Sequence, residues 1–297
     1  MRILYLGLPL GALLLSNAGQ PPTVVALGHP GAPGSRRLRR RLGAAGTLLM
    51  GRPALGDPAV RAALRAARPD LLLSWFWPRR IPREVLSLAP LGAFGVHPSL
   101  LPRWRGPDPY FWALRSGDAE TGVSLHRLEP SYDTGEIIEQ RVVPIEAEDD
   151  AWRLGHRLDR ASLALLLSCA ERVAAGETPT GAPQEEAAAT WAPKPSDADL
   201  ALDWKRPAPE LERLVRAAAP HPGAGARIGD HEVEVVRARC TPTTLPAALE
   251  PSEGVRSDEG LVVRAGEGAL LILEVRGPDG RVLRGAEVCS LLDGAQA

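Results

Sequence analysis

Cysteine, lysine and long apolar runs are all scarce in this chain of 297 residues. Its three cysteines, Cys169, Cys240 and Cys289, lie far apart and form no CxxC or Cys/His spacing. That argues against a zinc site or a disulfide framework, so no metal is expected. It also points to a reducing, cytoplasmic compartment. Lysine occurs only at Lys194 and Lys205, so nearly all positive side-chain charge is arginine. The formal net charge of -1 argues against a general polyanion binder. No apolar run reaches the roughly 20 residues of a membrane span, and no membrane partner is expected. Met1–Leu15, basic at its start and then apolar, has the outline of a signal peptide. It reads better as a buried strand (Arg2–Leu6), a turn, and a helix opening near Pro9, because the chain beyond it continues the same strand–turn–helix pattern.

What is present is an alternation. Short apolar runs at Ile3–Leu6, Val24–Leu27, Thr47–Met50, Leu71–Ser74 and Ala93–Val96 read as strands, with helical patterns between them. The clearest helix is Pro58–Ala67, with Asp57 placed to cap it, Pro58 at its first position and Pro69 beyond its end. Leucine- and valine-rich strands separated by helices predict an α/β fold, a doubly wound and mostly parallel sheet covered on both faces. A further strand is expected at Ile137–Val143 and a long helix at Ala151–Ala175, where Leu154, Leu158, Ala161, Leu165 and Cys169 form the apolar stripe. From Gly181 to Arg206 periodicity fades, which predicts a linker. A helix at Glu210–Ala218 and short runs at Glu232–Val236, Leu261–Arg264, Leu270–Val275 and Val282–Leu283 then predict a smaller, barrel-like β domain. The expected organisation is 1–180, linker 181–206, and 207–297.

Several residues could carry chemistry. His97 follows a strand directly, where doubly wound sheets open onto a ligand crevice. A histidine there can act as acid or base, or can be structural. Asp133 sits in Ser131-Tyr-Asp-Thr-Gly135 and by itself reads first as a turn or capping residue, and gains a chemical role only if the fold brings it to His97. Ser74–Pro82, with Trp75, Phe76 and Trp77, could line a flat ligand or pack in the core. Arg36–Arg41 could contact phosphates or form the polar face of a helix with Leu38 and Leu42 inside. Gly7–Gly11 lacks the spacing of a dinucleotide fingerprint, which excludes a nicotinamide cofactor.

His97–Gly106, in the form H-x-S-L-L-P-x-x-R-G, and Asp133–Gly135, in the form D-x-G, together resemble the 10-formyltetrahydrofolate-dependent formyltransferase family. Thr121–His126, Trp191–Lys194 and Leu202–Trp204 extend the likeness over essentially the whole chain. The resemblance implies that residues 1–180 are the catalytic domain and 207–297 the family's C-terminal domain. It implies transfer of a formyl group from 10-formyltetrahydrofolate, a co-substrate, to a primary amine. His97 would stabilise the oxyanion and Asp133 would orient it and help remove the amine proton. Phe76, Trp77, Arg79, Ile81, Pro82, Ser99 and Leu100 would contact the folate. One residue departs: the family has asparagine two places before the histidine, and here that place is Gly95. An impaired, merely binding homologue is therefore one expectation, and a formyl-folate hydrolase another. Among acceptors, Ala89–Phe94, Leu125–Leu128 and the short Gly28–Gly34 connection resemble the amino-sugar nucleotide enzymes more than the methionyl-tRNA enzymes.

Overall fold

The computed structural model describes residues 1–295 of the chain. It divides into two compact units. One comprises Met1–Pro109, Thr121–Pro144 and Arg157–Ala192; the other comprises Tyr110–Glu120, Ile145–His156 and the chain from Pro193 onward.

In chain order the first elements are β1 (Ile3–Gly7), α1 (Pro9–Asn17), β2 (Val24–Leu27), α2 (Ser35–Gly43), β3 (Leu48–Gly51), α3 (Pro58–Ala66) and β4 (Leu71–Trp75). Next come α4 (Arg83–Leu86), β5 (Ala93–His97), α5 (Pro109–Ser116), β6 (Glu120–Arg127), β7 (Ile137–Pro144) and α6 (Ala151–Ala174). The seven strands form one sheet in the order β3-β2-β1-β4-β5-β6-β7. The first five are parallel, and β6 runs antiparallel to β5. The apolar run at the N-terminus is thus a central strand: every residue of β1 is buried, with β2 and β4 on its flanks. Leu4 and Leu6 point to one face, where they join Val24, Ala26, Leu64, Leu72 and Val85 in a core cluster. This is the period-two pattern of a strand.

The strands expected from sequence are all present, with the third displaced by one residue to Leu48–Gly51. Asp57 caps α3 by accepting from the Ala59 N–H at 2.7 Å, and Pro58 opens the helix. β2 and β4 lie on opposite sides of β1, so the strand order reverses between β1 and β4, the point where such sheets hold ligands. Gly7 ends β1 there at φ +150°, and a Cβ on it would lie 1.9 Å from the Trp75 carbonyl oxygen. Only glycine lets these two strand ends approach so closely.

The second unit holds α7 (Asp197–Leu200), α8 (Ala208–Ala218) and strands β8 (Ala224–Ile228), β9 (His231–Thr241), β10 (Gly254–Arg256), β11 (Leu261–Arg264), β12 (Ala269–Arg276) and β13 (Val282–Arg284). They pair in the order β10-β11-β12-β9-β8, with β13 also on β12, and every neighbouring pair is antiparallel. Of these, β8 and β10 are absent from the sequence expectation, and β9 is longer than Glu232–Val236. Both missed strands are short and contain glycine, which weakens any alternating pattern.

Candidate active site

His97 is the last residue of β5 and is buried. Its Nε2 lies 2.8 Å from the Trp104 carbonyl oxygen. A carbonyl only accepts, so Nε2 carries a proton there. Its other nitrogen, Nδ1, lies 3.5 Å from Asp133 Oδ1. Two loops 36 positions apart therefore place an imidazole and a carboxylate side by side, as the acid–base reading requires.

Asp133 is held by two hydrogen bonds. Its φ of +55° puts it in the left-handed region, which aspartate tolerates better than most residues. Its Oδ2 accepts from the Gly106 N–H at 2.9 Å. Gln184 Nε2 donates to the carbonyls of both Asp133 and Gly135 at 2.8 Å. Gln184 is in turn gripped by Arg105, which is 2% exposed and donates from Nε and Nη2 to Gln184 Oε1 at 3.0 and 2.8 Å. Arg105 also makes a two-point pair with Glu186 at 2.9 and 2.8 Å. Its guanidinium fork suits such planar recognition. Gln184 and Glu186 come from the stretch read as a linker, where no periodicity or motif marks them.

The loop between His97 and Gly106 is internally braced. Ser99 Oγ donates to the Arg103 carbonyl at 2.6 Å, and Ser124 Oγ donates to the Ser99 carbonyl at 2.7 Å. The Ser99 side chain is therefore committed within the protein, and Leu100 is packed near Gly122. Trp75 pairs with Val96 across β4 and β5, so the segment Phe76–Pro82 leaves the sheet beside His97. Phe76 has φ +55°, and Arg79 stacks 4.8 Å over the Trp77 ring. Ile81 belongs to the hydrophobic core cluster, and the Pro82 carbonyl accepts from Val85 and Leu86 at the start of α4. Of this segment, Phe76, Trp77 and Arg79 keep exposed surface for a ligand, while Ile81 does not.

A model of the family described as "Formyl transferase" matches residues 16–169, and one described as "Formyl transferase, C-terminal domain" matches residues 194–291. The chain belongs to the formyl transferase family. The methionyl-tRNA formyltransferase of Symbiobacterium thermophilum is 36% identical over 300 residues, covering 97% of this chain and 91% of that protein. That of Paraburkholderia phymatum is 37% identical over 232 residues, covering 78% and 70%. Among solved structures, HypX from Aquifex aeolicus in complex with tetrahydrofolic acid superimposes with a TM-score of 0.69 at 22% identity, covering 99% of this chain and 48% of that one. An N-formyltransferase from Helicobacter canadensis, solved with folinic acid and dTDP-3-aminofucose, gives 0.66 at 14% identity, covering 92% and 98%. These structural likenesses concern the fold.

Against this family background Gly95 stands out. It faces His126 in the β5–β6 register. A Cβ built on Gly95 would lie 2.7 Å from Leu128 Cδ2 and 3.4 Å from His126 Nε2. The side-chain space beside Gly95 is therefore taken by a methyl group and an imidazole, which leaves little room for the water that could replace an amide. His126 is itself buried, with Nδ1 3.0 Å from the Arg127 carbonyl and Nε2 3.9 Å from Asp133 Oδ1. Burial pushes its imidazole below the ordinary histidine value, against the pull of the Asp133 charge. Sequence reasoning did not single out His126. Its signals were its places in Thr121–His126 and Leu125–Leu128.

Proposed function

We propose that the protein transfers a formyl group from 10-formyltetrahydrofolate to a primary amine. The observation that carries this reading is the approach of His97 to Asp133 at 3.5 Å, at the carboxyl end of a parallel strand. The donor fits the segment beside them: the indole N–H of Trp77 is buried without a hydrogen-bond partner, as a ligand-binding loop would leave it. Phe76, Trp77 and Arg79 would hold the folate. When bound, it supplies the formyl carbon and a nitrogen leaving group. His97 carries a proton at Nε2 on the Trp104 carbonyl, and sharing that proton with the formyl oxygen would stabilise negative charge developing there. Asp133, pinned by Gly106 and Gln184, accepts a proton at Oδ1 and orients the ring once that proton lies between Oδ1 and Nδ1.

For the acceptor, the relatives favour the amine of methionyl-tRNA over the amino-sugar nucleotide suggested by Leu125–Leu128. Identity of 36% over 97% of the chain supports that choice. So does α2, where Arg36, Arg37, Arg39, Arg40 and Arg41 are exposed and none pairs with a carboxylate among the described residues. The amino-sugar nucleotide is the second reading, favoured by the short Gly28–Gly34 connection.

The test is release of tetrahydrofolate from 10-formyltetrahydrofolate in the presence of methionyl-tRNA, amino-sugar nucleotides, or no acceptor. Acceptor-dependent release, lowered about 10² to 10⁴-fold by His97→Ala, supports transfer. Formate release without acceptor would make the protein a hydrolase. Folate binding without turnover would make it the impaired homologue that Gly95 suggests.

A further inference from the structure

Resting on the formyl-transfer reading, we propose that His126 is a positioning residue of this site. In this view His126, Asp133 and His97 hold one proton as a unit, which is the proton taken from the attacking amine. Asp133 Oδ1 is the atom shared by both rings, at 3.5 Å from His97 Nδ1 and 3.9 Å from His126 Nε2. Each ring commits its other nitrogen to a carbonyl, His97 Nε2 to Trp104 and His126 Nδ1 to Arg127. Carbonyls only accept, so in the neutral rings both nitrogens facing Oδ1 are bare. Three lone pairs then converge with no proton among them. One added proton relieves that opposition, and either spacing closes to a hydrogen bond with a shift of about 1 Å.

Gly95 makes the arrangement possible. It sits across from His126 and presents no side chain, so nothing on β5 caps the bare Nε2. The groups that act electrostatically on His126 are Asp133 and Glu129, which favour its charged form, and His97, which opposes it. Burial is the largest influence and disfavours the charged ring, so the bare Nε2 faces Asp133 as an acceptor until the shared proton arrives. In the reaction the amine nitrogen forms its bond to the formyl carbon and gives its proton to the cluster. The bond from that carbon to the folate nitrogen breaks, and the cluster returns the proton to the departing nitrogen. No oxidant, reductant or further reactant is needed.

The test begins on the ligand-free protein, with histidine-selective ¹⁵N NMR over a pH series. The expected result is a pyridine-type Nε2 signal for His126 at high pH and a single titration step that moves the signals of both rings, as coupled groups do. His126→Met, or His126→Gln should the first variant fold poorly, should shift the titration midpoint of His97. In the enzyme the same variants should lower kcat about tenfold and displace its pH profile, with KM for the formyl donor changed less than about twofold. A pyrrole-type Nε2 in His126, or a His97 titration indifferent to its replacement, would overturn the inference. Shared titration in a protein that formylates no amine would instead refute the functional reading and leave the proton-sharing intact.

Discussion

Gln184→Ala tests whether the carboxylate is held by the strut behind it. The substitution removes two hydrogen bonds to the carbonyls of Asp133 and Gly135 and two from the Arg105 guanidinium. A net hydrogen bond between neutral groups contributes about 1 kcal/mol, and a buried donor left without its partner costs about 1–3 kcal/mol. Arg105 retains Glu186 on its other edge, which spares part of the guanidinium. The expected loss is about 3 kcal/mol, because two neutral bonds and one buried Nε partner disappear together. With the turn released, Asp133 drifts from His97. A misplacement of about 1 Å in a reacting geometry costs on the order of 10²-fold in rate. Urea unfolding should show an earlier midpoint with an unchanged slope, and kcat/KM should fall about 10- to 100-fold. Glu186→Ala is the comparison: that side chain is 73% exposed, water can take part of its place on the buried Arg105, and the midpoint should fall less than in Gln184→Ala. Unchanged midpoint and turnover in Gln184→Ala would refute the idea that this strut positions the site.

Two further outcomes are expected. Gly106→Ala places a Cβ 2.8 Å from the Ala192 carbonyl oxygen at φ +120°, so it should destabilise by about 1–3 kcal/mol and lower activity by disturbing the N–H that Asp133 accepts; a thermal melt and turnover assay that both match the parent would contradict this. Asp70 receives the backbone N–H and guanidinium of Arg2, which lowers its carboxyl to about 2. Because the folded value lies below the unfolded one, this stabilisation is full above the ordinary carboxylate range and disappears as pH falls through about 2. Asp70→Asn should therefore lower the melting temperature at neutral pH and narrow its gap to the parent in strong acid; a constant gap would dismiss the pair.

Much of the first unit was legible because its signals are local. Buried parallel strands announce themselves as apolar runs, and Asp57-Pro58 marks a helix start by side-chain chemistry alone. The second unit was less legible, since β8 and β10 are brief, glycine-containing strands that exist only through their neighbours. In the site, His97 and Asp133 were visible as motif residues, yet Asp133 alone reads first as an ordinary turn. Gln184 carried no signal at all, because its importance lies in two carbonyls 49 and 51 positions away.

Sequence by itself determined the strand and helix periods and the family, because each of these is written in neighbouring residues. Tertiary structure alone decided that Oδ1 of one carboxylate stands between two imidazoles, and that the place beside Gly95 is filled by Leu128 and His126. The reason is physical. A proton's location depends on distances of a few ångströms between atoms that only the register of β5 with β6 and the folding-back of two loops bring together.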